Sequence, residues 1–222
     1  MKLYDLGLSP FAARIRVQIY AKSLDIPRVA PPGGTGSDEY KRLNPTGKVP
    51  ALVLDDGSVL PESLVIGEYL EDRFPEPSLR PADAVARARM RLVTHFTDGY
   101  VEPPLHALFP QVTDPAARDP KLIAEKTAEL ATRYDQLVRF LAPGGPYAVG
   151  NTLTLADCAL FPLFFFATRL HPMLGDKNPT ASRPALAKWW EAVQQHPAVA
   201  KVNAELANAL AEQLALIRHS YA

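Results

Sequence analysis

The chain has 222 residues, balances 24 Lys and Arg against 24 Asp and Glu, and is 47% hydrophobic. A formal charge of zero speaks against nucleic acid as the main partner, because phosphate binding draws on an excess of Lys and Arg; the hydrophobic share is enough for the cores of one or two domains. The single cysteine excludes an intrachain disulfide and a thiolate-rich metal cluster, and it suits a reducing compartment, expected to be the cytoplasm.

In chain order, residues 2–5 make a short strand, and Asp5 stands where a signal peptide needs an apolar run. Ser9-Pro10 opens a helix, with Pro at the first helical position where its missing N–H is harmless. Phe11, Ile15 and Ile19 recur at helical spacing on one stripe. Residues 28–31 form a weak strand, residues 33–36 a glycine-rich loop, and residues 38–43 a short helix. Two strands, 51–54 and 58–60, flank the hairpin signal Asp55-Asp56-Gly57. Residues 63–74 form a helix with Ile66, Leu70 and Phe74 on one stripe. The order β-α-β-α-β-β-α implies a right-handed parallel crossover plus an antiparallel strand.

Pro75, Pro77 and Pro81 end this pattern, since closely spaced prolines continue neither a helix nor a central strand. The expected boundary lies there, giving a first domain over 1–76 and an all-helical second domain over 83–222. In the second, Leu92, Phe96 and Tyr100 form one stripe, and Leu130, Tyr134, Leu137, Val138 and Leu141 another. Residues 143–146 end that helix. Thr154 and Asp157 form a capping box, in which the Thr hydroxyl accepts from the N3 amide and the Asp reaches back. Residues 155–167 are apolar nearly all round and predict a buried central helix, kinked at Pro162. This stretch falls short of the ~20 residues of a membrane span, so no membrane association is expected. Arg183-Pro184 starts a helix with Leu186, Trp190 and Val193 facing inward, and a last helix runs over about 198–217.

The familiar catalytic signatures are missing. His95, His106, His171, His196 and His219 show no metal-ligand spacing, so no metal is expected. No G-x-S-x-G elbow is present, and the 33–36 loop lacks the Lys and Ser/Thr of a phosphate cradle. Cys158 sits among apolar residues and reads as a core side chain, since burial raises a thiol pKa.

Three local features point instead to a small anion. Ser9-Pro10-Phe11 places a hydroxyl at a helix start, where backbone N–H groups favour negative charge. In the stretch Asn44-Pro-Thr-Gly-Lys-Val-Pro50, a cis Val49–Pro50 bond is expected to turn the Val49 backbone toward an extended peptide ligand, with Lys48 ready for a carboxylate. Glu62-Ser63 offers a carboxylate for an ammonium and a hydroxyl for an anion at the next helix start. Each feature also has a plain reading, as a helix cap or an edge-strand proline.

Together with the element order, these residues resemble the cytosolic glutathione S-transferases over essentially the whole chain. The strongest stretch is NPTGKVPALVLDDGSVLPESLVIGEYLEDRFPEP, supported by Thr154-Leu-Ala-Asp157 and by Arg183-Pro-Ala-Leu-Ala-Lys-Trp189 with His196-Pro-Ala-Val199. The resemblance implies an α/β plus all-α protein: a thioredoxin-like βαβαββα domain that binds glutathione, followed by an all-helical domain that supplies most of the electrophile pocket. It implies that Ser9 stabilises the glutathione thiolate, with Phe11 beside it. Lys48 would contact the glycyl end, Val49 would bond the cysteinyl backbone ahead of cis Pro50, and Glu62 and Ser63 would hold the γ-glutamyl group. Leu8, Tyr100, His106 and Phe109 are the candidates for the electrophile pocket. The serine-type sequence is similar to the tau group and to omega proteins with Ser replacing Cys, while Leu3-Tyr4, Ser9 and Arg14-Ile-Arg16 are similar to the zeta group. That group has Ser-Ser-Cys where this chain has Ser9-Pro10-Phe11.

The expected activity is conjugation of glutathione, as co-substrate, to a small hydrophobic electrophile in detoxification. The alternatives are a glutathione-dependent isomerase, lyase or dehalogenase, a non-enzymatic protein-binding module, and a carrier of apolar ligands. The family also implies a homodimer, in which Glu68, Glu71 and Asp72 of one helix face Arg87, Arg89 and Arg91 of the partner's next helix.

Overall fold

The computed structural model describes residues 1–114, 116, 118–142 and 145–220, with side chains of 216–220 excepted. The expected helix stop at Pro143 and Gly144 lies outside the described residues. The chain divides into two compact units, Met1–Ser78 with Pro197–Ala222, and Leu79–His196.

The first unit carries β1 (Lys2–Tyr4), α1 (Pro10–Ala21), β2 (Arg28–Val29), α2 (Asp38–Leu43), β3 (Ala51–Val53), β4 (Val59–Pro61) and α3 (Ser63–Arg73) in the expected order. The sheet order is β2-β1-β3-β4, with β1 parallel to β2 and the other two pairs antiparallel. Side chains alternate across its faces. Leu3 and Leu52 join Ile15 and Ile19 of α1 and Ile66 and Leu70 of α3 in one core, and Tyr4 and Ala51 meet Tyr40 of α2 in another. Phe11 and Phe74, expected on buried stripes, are half-buried.

The remaining helix of this unit is the last of the chain, α10 (Pro197–Ser220). The expected second domain over 83–222 therefore gives up its final helix. A charged pair, Lys22 and Glu71, is among the groups buried here. Lys22 donates to the carbonyls of Phe74 and Pro77, both at 2.7 Å, and pairs with Glu71 at 3.0 Å. Gln18 donates to the same carboxylate at 3.1 Å. Glu71 is thus 1% exposed and turned into its own unit, which corrects its assignment to an intersubunit face.

The second unit is helical: α4 (Ala84–Phe96), a π-helical turn (Thr97–Val101), α5 (Glu102–His106), α6 (Phe109–Thr113), α7 (Pro120–Phe140), α8 (Leu155–Met173) and α9 (Pro184–Gln194). Two stripes differ from expectation. On α4, Met90 and Val93 are buried, and Thr97 and Val101 follow them inside the π turn, whereas Leu92 and Tyr100 stay exposed. On α9, Trp189 points inward and Trp190 is half-buried against Phe161. The reason is polar satisfaction: the indole N–H of Trp189 donates to buried Asp157 at 2.8 Å. That carboxylate also accepts from Ala148 N–H and from the N–H and hydroxyl of Thr154, so it closes the cap of α8. Pro162 lies within the continuous α8, which is buried over almost its whole length. Among the described residues, no helix is long and apolar enough to cross a membrane.

Candidate functional site

Three chain segments leave the first unit's sheet at the same end. Tyr4, the last residue of β1, pairs with Ala51, the first of β3, and Ala51 pairs with Pro61, the last of β4. The connections that follow β1 and β4, and the one that precedes β3, therefore start from one edge of the sheet. They carry Ser9, Val49-Pro50 and Glu62-Ser63.

Ser9 caps α1: its backbone is extended, and its hydroxyl oxygen accepts from Ala12 N–H at 3.1 Å. This bond uses an acceptor lone pair, so the hydroxyl keeps its own hydrogen to donate. A turn from Ser9 N–H to the Leu6 carbonyl (2.9 Å) sets its approach. The cap carbonyl of Ser9 takes the first backbone bond of α1, from Ala13 N–H. The amide of Phe11, like others in a first turn, then has no acceptor inside the helix. Its half-buried ring lies 5.2 Å from the Arg14 guanidinium.

The Val49–Pro50 bond is cis. Sheet pairing begins at Ala51, so the Val49 backbone lies outside the ladder. Lys48 is exposed while its carbonyl is held twice, by the hydroxyl of Tyr40 (2.9 Å) and the side-chain amide of Asn44 (2.8 Å). Asn44, fully buried, also accepts from the amide and hydroxyl of Thr46. Burial pushes the Tyr40 hydroxyl above its ordinary pKa, which keeps it a donor. Gly47 turns the loop at φ 64°, and a Cβ there would meet Gly36 Cα at 3.2 Å, so other residues fit poorly. Asn44 opens the stretch singled out in the sequence, but neither it nor Tyr40 was given a role there. Their signal was the Asn-Pro turn dipeptide at 44–45, which marks an Asx-type turn.

Glu62 precedes α3 with φ 69°, the left-handed region that a non-glycine residue enters at a cost of roughly 1–3 kcal/mol. The first backbone bond of α3 joins Ile66 N–H to the Glu62 carbonyl, so the amides of Ser63, Leu64 and Val65 have no acceptor within the helix. Ser63 is 6% exposed and Glu62 is exposed. The donor set suits an anion that also bears one ammonium: two helix starts with hydroxyls, one lysine and one carboxylate.

The expected pocket residues separate by unit. Leu8 is half-buried in the first unit, next to Ser9. In the second, His106 and Phe109 are neighbours, with ring centroids 6.1 Å apart. His106 pairs with Glu102 at 3.2 Å, and Phe109 lies edge-on to Phe166. Tyr100 stacks on Phe96 at 4.8 Å with the Arg133 guanidinium over its ring. The π-helical turn that carries Tyr100 gave no sequence signal. Such turns recur at functional sites. Among the described residues, no group of three or more His, Cys, Asp or Glu is placed to hold a metal ion.

Residues 3–78 match the family model described as glutathione S-transferase, N-terminal domain, and residues 98–197 that of the C-terminal domain. Glutathione S-transferase Z2 of Arabidopsis thaliana is 32% identical over 203 residues, 89% of this chain and 88% of that protein. The maleylacetoacetate isomerase of Pseudomonas aeruginosa is 31% identical over 205 residues, 89% of this chain and 96% of that protein. Among solved structures, a holo maleyl pyruvate isomerase, a bacterial glutathione S-transferase of the zeta class, matches with a TM-score of 0.75 at 28% identity. The match covers 91% of this chain and 96% of the other.

Proposed function

The chain belongs to the glutathione S-transferase family and is a glutathione transferase with glutathione as co-substrate; we propose that Ser9 holds the thiolate and that a small hydrophobic electrophile takes it up. The observation that carries the assignment of roles is the Tyr4–Ala51–Pro61 register, which gathers Ser9, Val49 and Ser63 at one sheet end. Ser63 and the first amides of α3 then receive the γ-glutamyl carboxylate, and Glu62 its ammonium. The Val49 backbone pairs with the cysteinyl residue, and Lys48 meets the glycyl carboxylate. Leu8, Tyr100, His106 and Phe109 are assigned to the electrophile. A homodimer in the cytoplasm completes the reading.

A free thiol has a pKa of ~8.5, so only a few per cent is ionised at pH 7. The Ser9 hydroxyl and the first amides of α1 favour the charged form, which raises the nucleophilic fraction. Serine is too weakly acidic to serve as the base at neutral pH, so it donates and takes no proton. Ser9→Ala is expected to raise the bound thiol's pKa and lower conjugation by ~10²-fold, the scale of losing one charge-stabilising donor. Glutathione affinity stays nearly intact. The measurements are thiolate absorbance of bound glutathione against pH and turnover of a generic aryl halide. Unchanged values in both would reduce Ser9 to a helix cap and pass its role to the Phe11 amide.

The whole-chain likeness to a maleylacetoacetate isomerase favours a second reading, glutathione-dependent isomerisation. An isomerase returns its glutathione, whereas a conjugating enzyme consumes it. Titrating free thiol during turnover of an activated alkene separates the two.

A further inference from the structure

We infer that Arg16 is a positioning residue for Ser9: its buried guanidinium, held by Glu205 of α10, fixes the Gly7 carbonyl in the turn that delivers Ser9 to the start of α1. This inference rests on the functional reading above and deepens it.

Arg16 is 1% exposed, unusual for an arginine, and its contacts explain why it is tolerated there. One terminal nitrogen, Nη2, donates to the Gly7 carbonyl at 2.8 Å. The other, Nη1, donates to Glu205 Oε2 at 3.0 Å. Its Nε faces Asp5 Oδ2 at 3.6 Å, too long for a hydrogen bond, so its grip on the turn is the bond of ordinary length to the Gly7 carbonyl. Two residues on, Ser9 N–H closes the same turn on Leu6. The loop is therefore pinned from outside at Gly7 and from inside at Leu6.

Glu205 is itself over-determined. It accepts from Arg16, twice from Arg28 (2.7 and 3.2 Å) and from the Tyr20 hydroxyl at 2.5 Å. Burial and the Glu205 carboxylate push Tyr20 up to about 12, so it remains a donor throughout the working range. Without this acidic partner, Arg16 would be a desolvated cation with only Asp5 nearby, and its fork would lose its orientation. The backbone adds a second contact. A Cβ on Gly7 would stand 3.1 Å from Ala209 Cβ, so α10 abuts the turn directly, one helical turn beyond Glu205. The last helix of the chain thus acts on the proposed thiolate donor through a single guanidinium, although none of its residues belongs to the proposed glutathione set.

Three variants of the full chain test this. Glu205→Gln keeps size and acceptor but removes the charge. Arg16→Lys keeps charge but loses the fork. Leu206→Ala hollows the buried face of α10 and leaves the clamp untouched. Hydrogen exchange over residues 5–13 reads the turn, and bound-thiol pKa and the separate kcat and KM for glutathione read its consequence. Glu205→Gln and Arg16→Lys are expected to speed exchange in 5–13, raise the bound-thiol pKa and lower kcat about tenfold, with KM barely changed. Leu206→Ala is expected to lower Tm and leave the thiol pKa in place. The inference is overturned if exchange over 5–13 is unchanged in Glu205→Gln and Arg16→Lys, or if Leu206→Ala raises the thiol pKa as much as they do. A parent protein that neither binds nor turns over glutathione would overturn the functional reading instead, and the exchange measurement would still decide the clamp.

Discussion

Lys22 keeps its ammonium fully inside the first unit, shared among Glu71 and two carbonyls at the end of α3. Each of these partners is an acceptor, and the Lys22 and Glu71 side chains are fully buried. Lys22→Met removes the cation from beside the Glu71 carboxylate, which Gln18 continues to bond. Removing one partner of a buried pair costs about 3–5 kcal/mol, and that loss is expected in urea unfolding of Lys22→Met. A Lys22→Met, Glu71→Leu double variant is expected to recover most of it. At this scale the sequence was informative about type and silent about direction. The placement of Ser9, Val49 and Ser63 was legible because each sits at a punctuation mark, a proline or a helix start. Glu71 read as a surface acid because helical spacing places it beside Glu68 and Asp72, and nothing local announces a lysine 49 positions earlier in the chain.

Among the elements, α10 shows most clearly where periodicity stops being informative. Its helical pattern was readable over about 198–217, and the structure extends it over Pro197–Ser220. Which surface it covers was not readable, because Arg16 and Glu205 are 189 positions apart. The stripes of α4 and α9 went astray for a related reason. Apolar size was taken as the mark of burial, whereas Thr97 buries its hydroxyl by bonding Val93, and Trp189 is drawn in by Asp157. The attachment of α10 also carries a pH dependence. Burial raises the Glu205 carboxyl, but the Tyr20 and Arg28 hydrogen bonds and the Arg28 and Arg16 charges outweigh it and hold the group below its ordinary value. Its stabilisation is complete above the unfolded value of ~4.3 and is lost as pH falls through the lower folded value. Asp5, raised mainly by burial, works in the opposite sense. Thermal melts between about pH 5 and 3 are expected to fall more steeply for the parent than for Glu205→Gln, and parallel curves would remove Glu205 from the acid limb.

For the molecule as a whole, the proposed homodimer now rests less on charge. With Glu71 turned inward, the exposed apolar side chains Leu64 and Val65 on α3 and Val85 and Leu92 on α4 become the better interface candidates. An isologous contact presents each of them twice. Sedimentation is expected to show twice the chain mass at micromolar concentration, little changed by salt, since apolar burial is not screened as ion pairs are. Val65→Asp is expected to shift it toward monomer. A parent that sediments as a monomer would refute the dimer, and one that dissociates in salt would return the interface to the arginines. The order of elements in the first unit was legible throughout, because alternation, helical stripes and the Asp-Gly turn all agreed. The grouping of α10 with the sheet was not legible, because nothing in the last helix's own pattern says which core it joins.

The first unit takes its residues from both ends of the chain, and this has a consequence for vectorial synthesis. When residues 1–78 leave the ribosome they already hold the sheet and three of its helices, but Arg16 and Arg28 then lack Glu205. The helical unit must be translated before α10 arrives, a delay on the order of ten seconds at ~5–20 residues per second. Through that interval the α1 face that α10 covers stays open to water and Arg16 is hydrated rather than clamped, so the turn bearing Ser9 is finished last.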